Sequence, residues 1–129
     1  MNIQFITFAE VKMIHVDQIN RYGGMHGLRD ENLLDSAVNY PRMTFDQKYL
    51  QPDIYYMAAG YMCSIIKNHP FIDGNKRTGF IVAILFLANN NIFIAADQDE
   101  LFNLTIAIAE SKISEKEVAI FFKKKAVEN

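Results

Sequence analysis

The residues most able to do chemistry stand together in the string His69-Pro70-Phe71-Ile72-Asp73-Gly74-Asn75-Lys76-Arg77-Thr78-Gly79. An imidazole titrates near neutral pH and can take a proton from an attacking hydroxyl. A carboxylate such as Asp73 is acceptor-only when ionised and suits a Mg²⁺ ion bridging phosphate oxygens. Gly74 lets backbone approach a ligand closely, and the Lys76 and Arg77 side chains add a compact point charge and a planar fork suited to two phosphate oxygens. Base, carboxylate and anion cradle in one short loop read as an active site that handles phosphate.

The elements that position this loop follow from what flanks it. Phe80 to Ala88 is an unbroken apolar run within a wider span, Asn75 to Asn91, whose Ala and Leu content favours a buried helix over a strand. Gly74 and Asn75 then fall at the helix N-terminus, where the first N–H groups lack intrahelical acceptors and the peptide dipoles leave partial positive charge. Pro70 disfavours helical geometry at His69, so the segment before it bends and the base and carboxylate can converge. Phe71 is expected to point into the core and pin the loop. Taken singly, each residue has a plainer use: His69 as a helix C-cap, Asp73 as an N-cap, Gly74 in a turn, Lys76 and Arg77 on a solvated first turn. Two consecutive cations oppose the dipole at a helix start, and an anionic ligand supplies the reason for them.

The rest of the chain reads as helices with marked starts. Thr7 with Glu10 forms a capping-box pattern ahead of the stripe Val11, Ile14, His15, Gln18, Ile19 and Tyr22, which Gly23-Gly24 ends. Asp30 caps a second helix through Val38, and Pro52 suits the first turn of a third running to about Asn68. Asp97 with Glu100, and Ser114 with Glu117, repeat the capping box before two final stripes. Two short segments, Ile3 to Thr7 and Asn91 to Ala95, could form strands. The fold class is all-α: one domain spanning 1–129, about six helices around the apolar one that starts near Asn75.

A chain of 129 residues is one domain's worth and should bury roughly two-thirds of its unfolded surface. A net charge of −2 carries no basic footprint for nucleic acid, and Lys123-Lys124-Lys125 reads as a dipole-compensating helix end. Cys63 is the single cysteine and is expected in a buried structural position. The amino terminus lacks the basic and long apolar regions of a signal peptide, and the Phe80 to Ala88 run is about half of what a membrane span needs. These features read as a cytoplasmic protein. His15 is expected to be a hydrogen-bonded, partly buried side chain, and His26 to face either the loop or solvent.

The string from His69 to Arg77 resembles the signature of the Fic/Doc superfamily: His, any residue, Phe, any residue, Asp or Glu, Ala or Gly, Asn, Gly or Lys, Arg. Every position matches. Arg21-Tyr22-Gly23-Gly24, Gly27, Asp30 and the Leu33 to Val38 segment resemble the amino-terminal part of death-on-curing (Doc) toxins, so the likeness extends from about Glu10 to about Phe121.

The resemblance implies the Fic fold and a set of roles. His69 would be the general base on a Ser or Thr hydroxyl of the target, and Asp73 would hold Mg²⁺ or orient phosphates. Gly74 and Asn75 would form the cradle, Lys76 would contact phosphate, and Arg77 would stabilise charge on the transferring group. Fic adenylyltransferases carry glycine at the Lys76 position. A lysine there implies a reversed nucleotide that presents the γ-phosphate of ATP, hence a protein kinase whose target class is elongation factor Tu. The alternatives are an adenylyltransferase that tolerates Lys76 and a non-catalytic module that binds an anion or a partner's acidic segment. Fic-type enzymes often silence themselves through Ser or Thr, three residues, then Glu followed by Gly or Asn. Here the two Glu-Asn pairs, Glu31-Asn32 and Glu128-Asn129, have Gly27 and Lys124 four residues before the glutamate. Inhibition is therefore expected from a Phd-like antitoxin supplied in trans, whose disordered tail folds into a groove of this protein.

Overall fold

The computed structural model describes residues 2–128; Met1 and Asn129, the ends of the expected domain and of the Glu128-Asn129 pair, lie outside the described residues. Six helices carry the chain: α1 (Phe8–Tyr22), α2 (Glu31–Asn39), α3 (Ile54–Asn68), α4 (Asn75–Asn89), α5 (Gln98–Ala109) and α6 (Glu115–Lys125). Two small antiparallel pairs accompany them, β1 (Thr44–Phe45) with β2 (Lys48–Tyr49) and β3 (Ile92–Ile94) with β4 (Ala126–Glu128). The all-α reading holds. No helix among the described residues is long and apolar enough to cross a membrane.

The helices start where the capping chemistry places them. Thr7 and Glu10, Asp97 and Glu100, and Ser114 and Glu117 each exchange side-chain and backbone hydrogen bonds, so two orphan N–H groups are satisfied at each start. Asp30 accepts from Leu33 N–H at 3.0 Å. The third helix differs in detail: its N-cap is Asp53, which accepts from Tyr56 N–H at 3.0 Å, and Pro52 precedes the cap instead of entering the first turn. A carboxylate that reaches an orphan N–H wins over a proline that merely tolerates the position. The triple lysine occupies the last turn of α6, opposite the partial negative charge of the helix end.

The packing centre is shared by two helices. Along α3 the stretch Met57–Cys63 is buried without interruption, as are Ile65 and Ile66, and α4 lies against it through Val82, Ala83, Phe86 and Leu87. The apolar run of α4 is thus not buried all round: Phe80, Ile84 and Leu85 are half-buried. Cys63 is buried in α3, and burial pushes its thiol up to about 12, so it packs as a neutral group.

Of the two expected short strands, one forms. Asn91 to Ala95 contains β3, whose partner β4 follows α6 directly. Ile3 to Thr7 finds no strand partner because side chains satisfy its backbone. The Tyr61 hydroxyl accepts from Ile6 N–H at 3.0 Å and lies 3.3 Å from Ile6 C=O, and the Asn90 amide pairs with both backbone groups of Gln4. The β1–β2 hairpin, absent from the sequence expectation, turns on Asp46 and Gln47, both at positive φ (52° and 65°), the geometry of a tight two-residue turn.

Candidate active site

The loop between α3 and α4 is held by the chain that leaves α1. Phe71 bridges Leu28 in antiparallel fashion. Arg29 N–H and Asp30 N–H both donate to Pro70 C=O (2.7 and 3.0 Å), and Ile72 N–H donates to Gly27 C=O at 3.0 Å. Arg29 adds a side-chain clamp, with Nε donating to His69 C=O at 2.6 Å and Nη2 to Asn68 C=O at 2.8 Å. These are the exposed last carbonyls of α3, where a guanidinium also complements the helix dipole. His69 is the C-cap, in left-handed geometry (φ 49°, ψ 55°), and its exposed imidazole has no hydrogen-bond partner among the described residues. Its backbone caps the helix while its side chain stays unpaired among the described residues.

Phe71 is 2% exposed and stacks face to face on His15, with centroids 3.8 Å apart and planes 4° apart. The Asn75 side chain grips the same residue, accepting from Phe71 N–H and donating to Phe71 C=O, both at 3.0 Å. The amide oxygen and one amide N–H are therefore engaged inside the loop. His15 Nε2 lies 2.7 Å from Asp73 C=O, so that nitrogen carries a proton and donates. Burial lowers the pKa of His15, against the raising effect of that hydrogen bond. His15 is buried more completely than the sequence expectation had it, and it supports the His69–Arg77 loop through Phe71 and Asp73.

Asp73 does not cap α4. Gly74 is the N-cap, at φ 77° in the left-handed region where a side chain would be strained; a Cβ there would also stand 2.9 Å from Ile19 Cδ1. The Asp73 carboxylate instead accepts from Met25 N–H (3.1 Å) and Gly74 N–H (2.8 Å), which hold it below the usual carboxylate range, with Arg77 and His15 adding to the effect. Gly24 makes room for it: a Cβ at that position would lie 2.7 Å from Asp73 Oδ2. Arg77 is oriented by Nη2 donating to Gly23 C=O at 2.9 Å and by the Tyr22 ring, 5.7 Å from the guanidinium carbon. Lys76 is exposed and has no ion-pair partner among the described residues. His26 turns to Asn20 Oδ1 at 2.9 Å and not to the loop.

All six residues singled out from the sequence, His69, Asp73, Gly74, Asn75, Lys76 and Arg77, line one cavity of about 510 Å³, a size suited to a small-molecule ligand. Its remaining wall is apolar apart from Thr105: Ile72 and Phe80, with Leu101, Phe102 and Ile106 of α5. Sequence reasoning missed that wall, together with Arg29 and the backbone of Met25. The available signal was a second apolar face on α5, Phe102 and Ile106 four residues apart and off the Leu101-Leu104-Ile108 stripe.

Comparison with known proteins agrees with the geometry. The family model described as "Fic/DOC family" matches residues 5–87. The chain is 30% identical over 119 residues to "Protein kinase doc" of Escherichia phage P1, covering 91% of each chain. It is 40% identical over 78 residues to "Toxin Doc" of Mycolicibacterium smegmatis (strain ATCC 700084 / mc(2)155), a match that spans 60% of each chain. A loop of this composition, closed onto the start of a buried helix and matched over most of the chain, places the protein in the Fic/DOC family.

Proposed function

We propose that this protein is a Doc-like toxin that transfers the γ-phosphate of ATP to a Ser or Thr hydroxyl of a translation factor, with elongation factor Tu as the expected target. The observation that carries this reading is the convergence of a free imidazole, an ionised carboxylate and a cationic helix start on one cavity. Kinase chemistry is favoured over adenylylation by Lys76, which stands where adenylyltransferases of the family have glycine, and by the likeness to the phage P1 relative, which is named a protein kinase.

In this mechanism His69 takes the proton of the target hydroxyl as its oxygen attacks the γ-phosphorus, and ADP leaves. The N–H groups of Asn75, Lys76 and Arg77 in the first turn of α4 have no intrahelical acceptors and face the phosphates with the dipole behind them. The Lys76 and Arg77 side chains meet the charge spread over the transferring group. Because phosphoryl transfer is chiefly positioning and electrostatics, a stiff loop with fixed donors suffices. Mg²⁺ fits the donor set: each Asp73 oxygen accepts one N–H and keeps a lone pair, and Mg²⁺ in nucleotide sites takes one or two carboxylates plus phosphate oxygens and water. When bound, the ion would neutralise phosphate charge.

The same reading includes an antitoxin, Phd-like and supplied in trans, and a cytoplasmic site of action where translation proceeds. It is supported by a shallow groove along α1 lined by Lys12, Met13, Val16, Asp17 and Asn20, in which Met13 and Val16 are 70% and 46% exposed. Exposed apolar side chains beside charged ones suit the amphipathic helix of a folding partner segment.

The test is a pair of reactions with elongation factor Tu and Mg²⁺, using ATP labelled at the γ- or the α-phosphate. Label from γ on the target supports the kinase; label from α would make the protein an adenylyltransferase. His69→Ala should abolish transfer and toxicity while nucleotide binding persists. Toxicity retained by that variant would point to a binding module.

A further inference from the structure

The base and the phosphate cradle stand on different helices. His69 is the C-cap of α3, and Asn75, Lys76 and Arg77 begin α4. The chain between α1 and α2 ties down the outer edge of the site, with Arg29 donating to the Asn68 and His69 carbonyls and Gly23 C=O accepting from Arg77. The inner edge is set where the two helices pack, and there α4 presents Gly79, which is buried. A Cβ on Gly79 would stand 3.0 Å from Ile66 Cγ1, 3.1 Å from the Met62 carbonyl oxygen and 3.5 Å from Ile65 Cβ. Met62, Ile65 and Ile66 are fully buried and share one face of α3, so they form a socket that the bare backbone of α4 fills. Glycine is a poor residue for a helix interior, and φ here lies outside the left-handed region, so conformational freedom is not what calls for it. Close approach of the two backbones is. A methyl group would make its neighbours give by a few tenths of an ångström, and the Met62 carbonyl can move only with α3 itself.

We infer that Gly79 is a positioning residue for group transfer: by letting α4 rest directly on α3, it fixes the distance between the His69 imidazole and the phosphate cradle. The inference rests on the transfer reading proposed above, and it holds for transfer of either the γ- or the α-phosphate, since both need the base and the cradle in register. Gly79 lies four residues beyond Asn75, and its socket ends at Ile66, three residues before His69, so a wedge at this point is felt about one turn away on each helix. Misplacing reacting groups by about 1 Å can cost about a hundredfold in rate, so a few tenths of an ångström predicts a loss of about three- to tenfold. Nucleotide affinity should hold, because the first-turn N–H groups and both cations move together with α4.

The experiment compares the full-length wild type with Gly79→Ala, with Gly79→Ala combined with Ile66→Ala, and with Val118→Ala, a truncation of a buried side chain in α6 away from the crossing. For each, calorimetry gives the affinity for ATP with Mg²⁺, label transfer to elongation factor Tu at saturating ATP gives kcat, and thermal unfolding gives Tm. Gly79→Ala should fold, because the helix propensity it gains offsets part of the overpacking. Its kcat should fall about three- to tenfold while ATP affinity stays within about twofold. The pair with Ile66→Ala, which removes the Cγ1 atom that the methyl meets, should regain part of the rate although its Tm is lower than that of Gly79→Ala alone. Val118→Ala should lower Tm and leave kcat in place. An unchanged kcat in Gly79→Ala overturns the inference, as does a loss of ATP affinity as large as the loss of rate, or a rate that tracks Tm across the variants. A Gly79→Ala chain that does not fold overturns it too, since the glycine then serves the fold alone. If the wild type transfers neither label, the transfer reading itself fails and the positioning role with it.

Discussion

Asn75 offers the sharpest test of how the loop is built. Its amide makes two hydrogen bonds at 3.0 Å to the backbone of Phe71, and both residues are buried. Asn75→Ala removes donor and acceptor together and orphans one N–H and one C=O. A buried polar group left without a partner costs about 1–3 kcal/mol, so two cost about 2–6 kcal/mol if both stay dry. Asn75 also lines the cavity, so water can reach part of the gap. The loss should therefore fall near the lower end, about 2–4 kcal/mol. For a chain of this size that is a fall in Tm of about 10 °C. Urea unfolding measures the free energy, and amide hydrogen exchange tests the cause: the Phe71 N–H should lose protection while amides in the middle of α3 follow only the global change. Because Phe71 sets the path from His69 to Asp73, transfer should also fall by about tenfold to a hundredfold through misplacement. A loss under about 1 kcal/mol, or Phe71 protection equal to the wild type, would refute the claim that this side chain holds the loop.

Two further expectations follow from the same scaffold. Arg29→Ala should slow transfer by about tenfold to a hundredfold with nucleotide affinity nearly unchanged, because the clamp fixes the carbonyl of His69 and touches no phosphate; Arg29→Lys should recover part of the rate. Full activity in the alanine variant would mean that the left-handed cap holds itself. The depressed pKa of His15 makes stability pH-dependent: the unfolded chain binds a proton more readily, so its contribution is complete above the unfolded value near 6.5 and is lost as pH falls from there toward the lower folded value. Unfolding free energies at pH 7 and pH 5 should therefore differ less in His15→Gln than in the wild type, and an identical slope would remove His15 from the account.

The division between sequence and tertiary structure follows the range of the interactions. Helix starts are local: Thr7, Asp30, Asp97 and Ser114 each satisfy an N–H three residues on, so they are readable from the chain alone. The same holds for the composition of the candidate site, since His69 to Arg77 are contiguous and the last of them form the first turn of α4. What the chain alone could not decide lies at long range. Whether Ile3 to Thr7 becomes a strand depends on Tyr61 and Asn90 reaching its backbone. The role of Asp73, an anchor for Met25 in place of a helix cap, depends on Gly24 coming within reach of its carboxylate. Arg29 becomes a clamp only because the α1–α2 connection pairs with the loop forty residues later. The apolar wall exists because α5 packs beside the start of α4, which no periodicity within α5 specifies. Local hydrogen bonds and caps are encoded within a few residues and so are legible; the reach of one segment to another is a property of the packed core, and it decides which groups meet at the site.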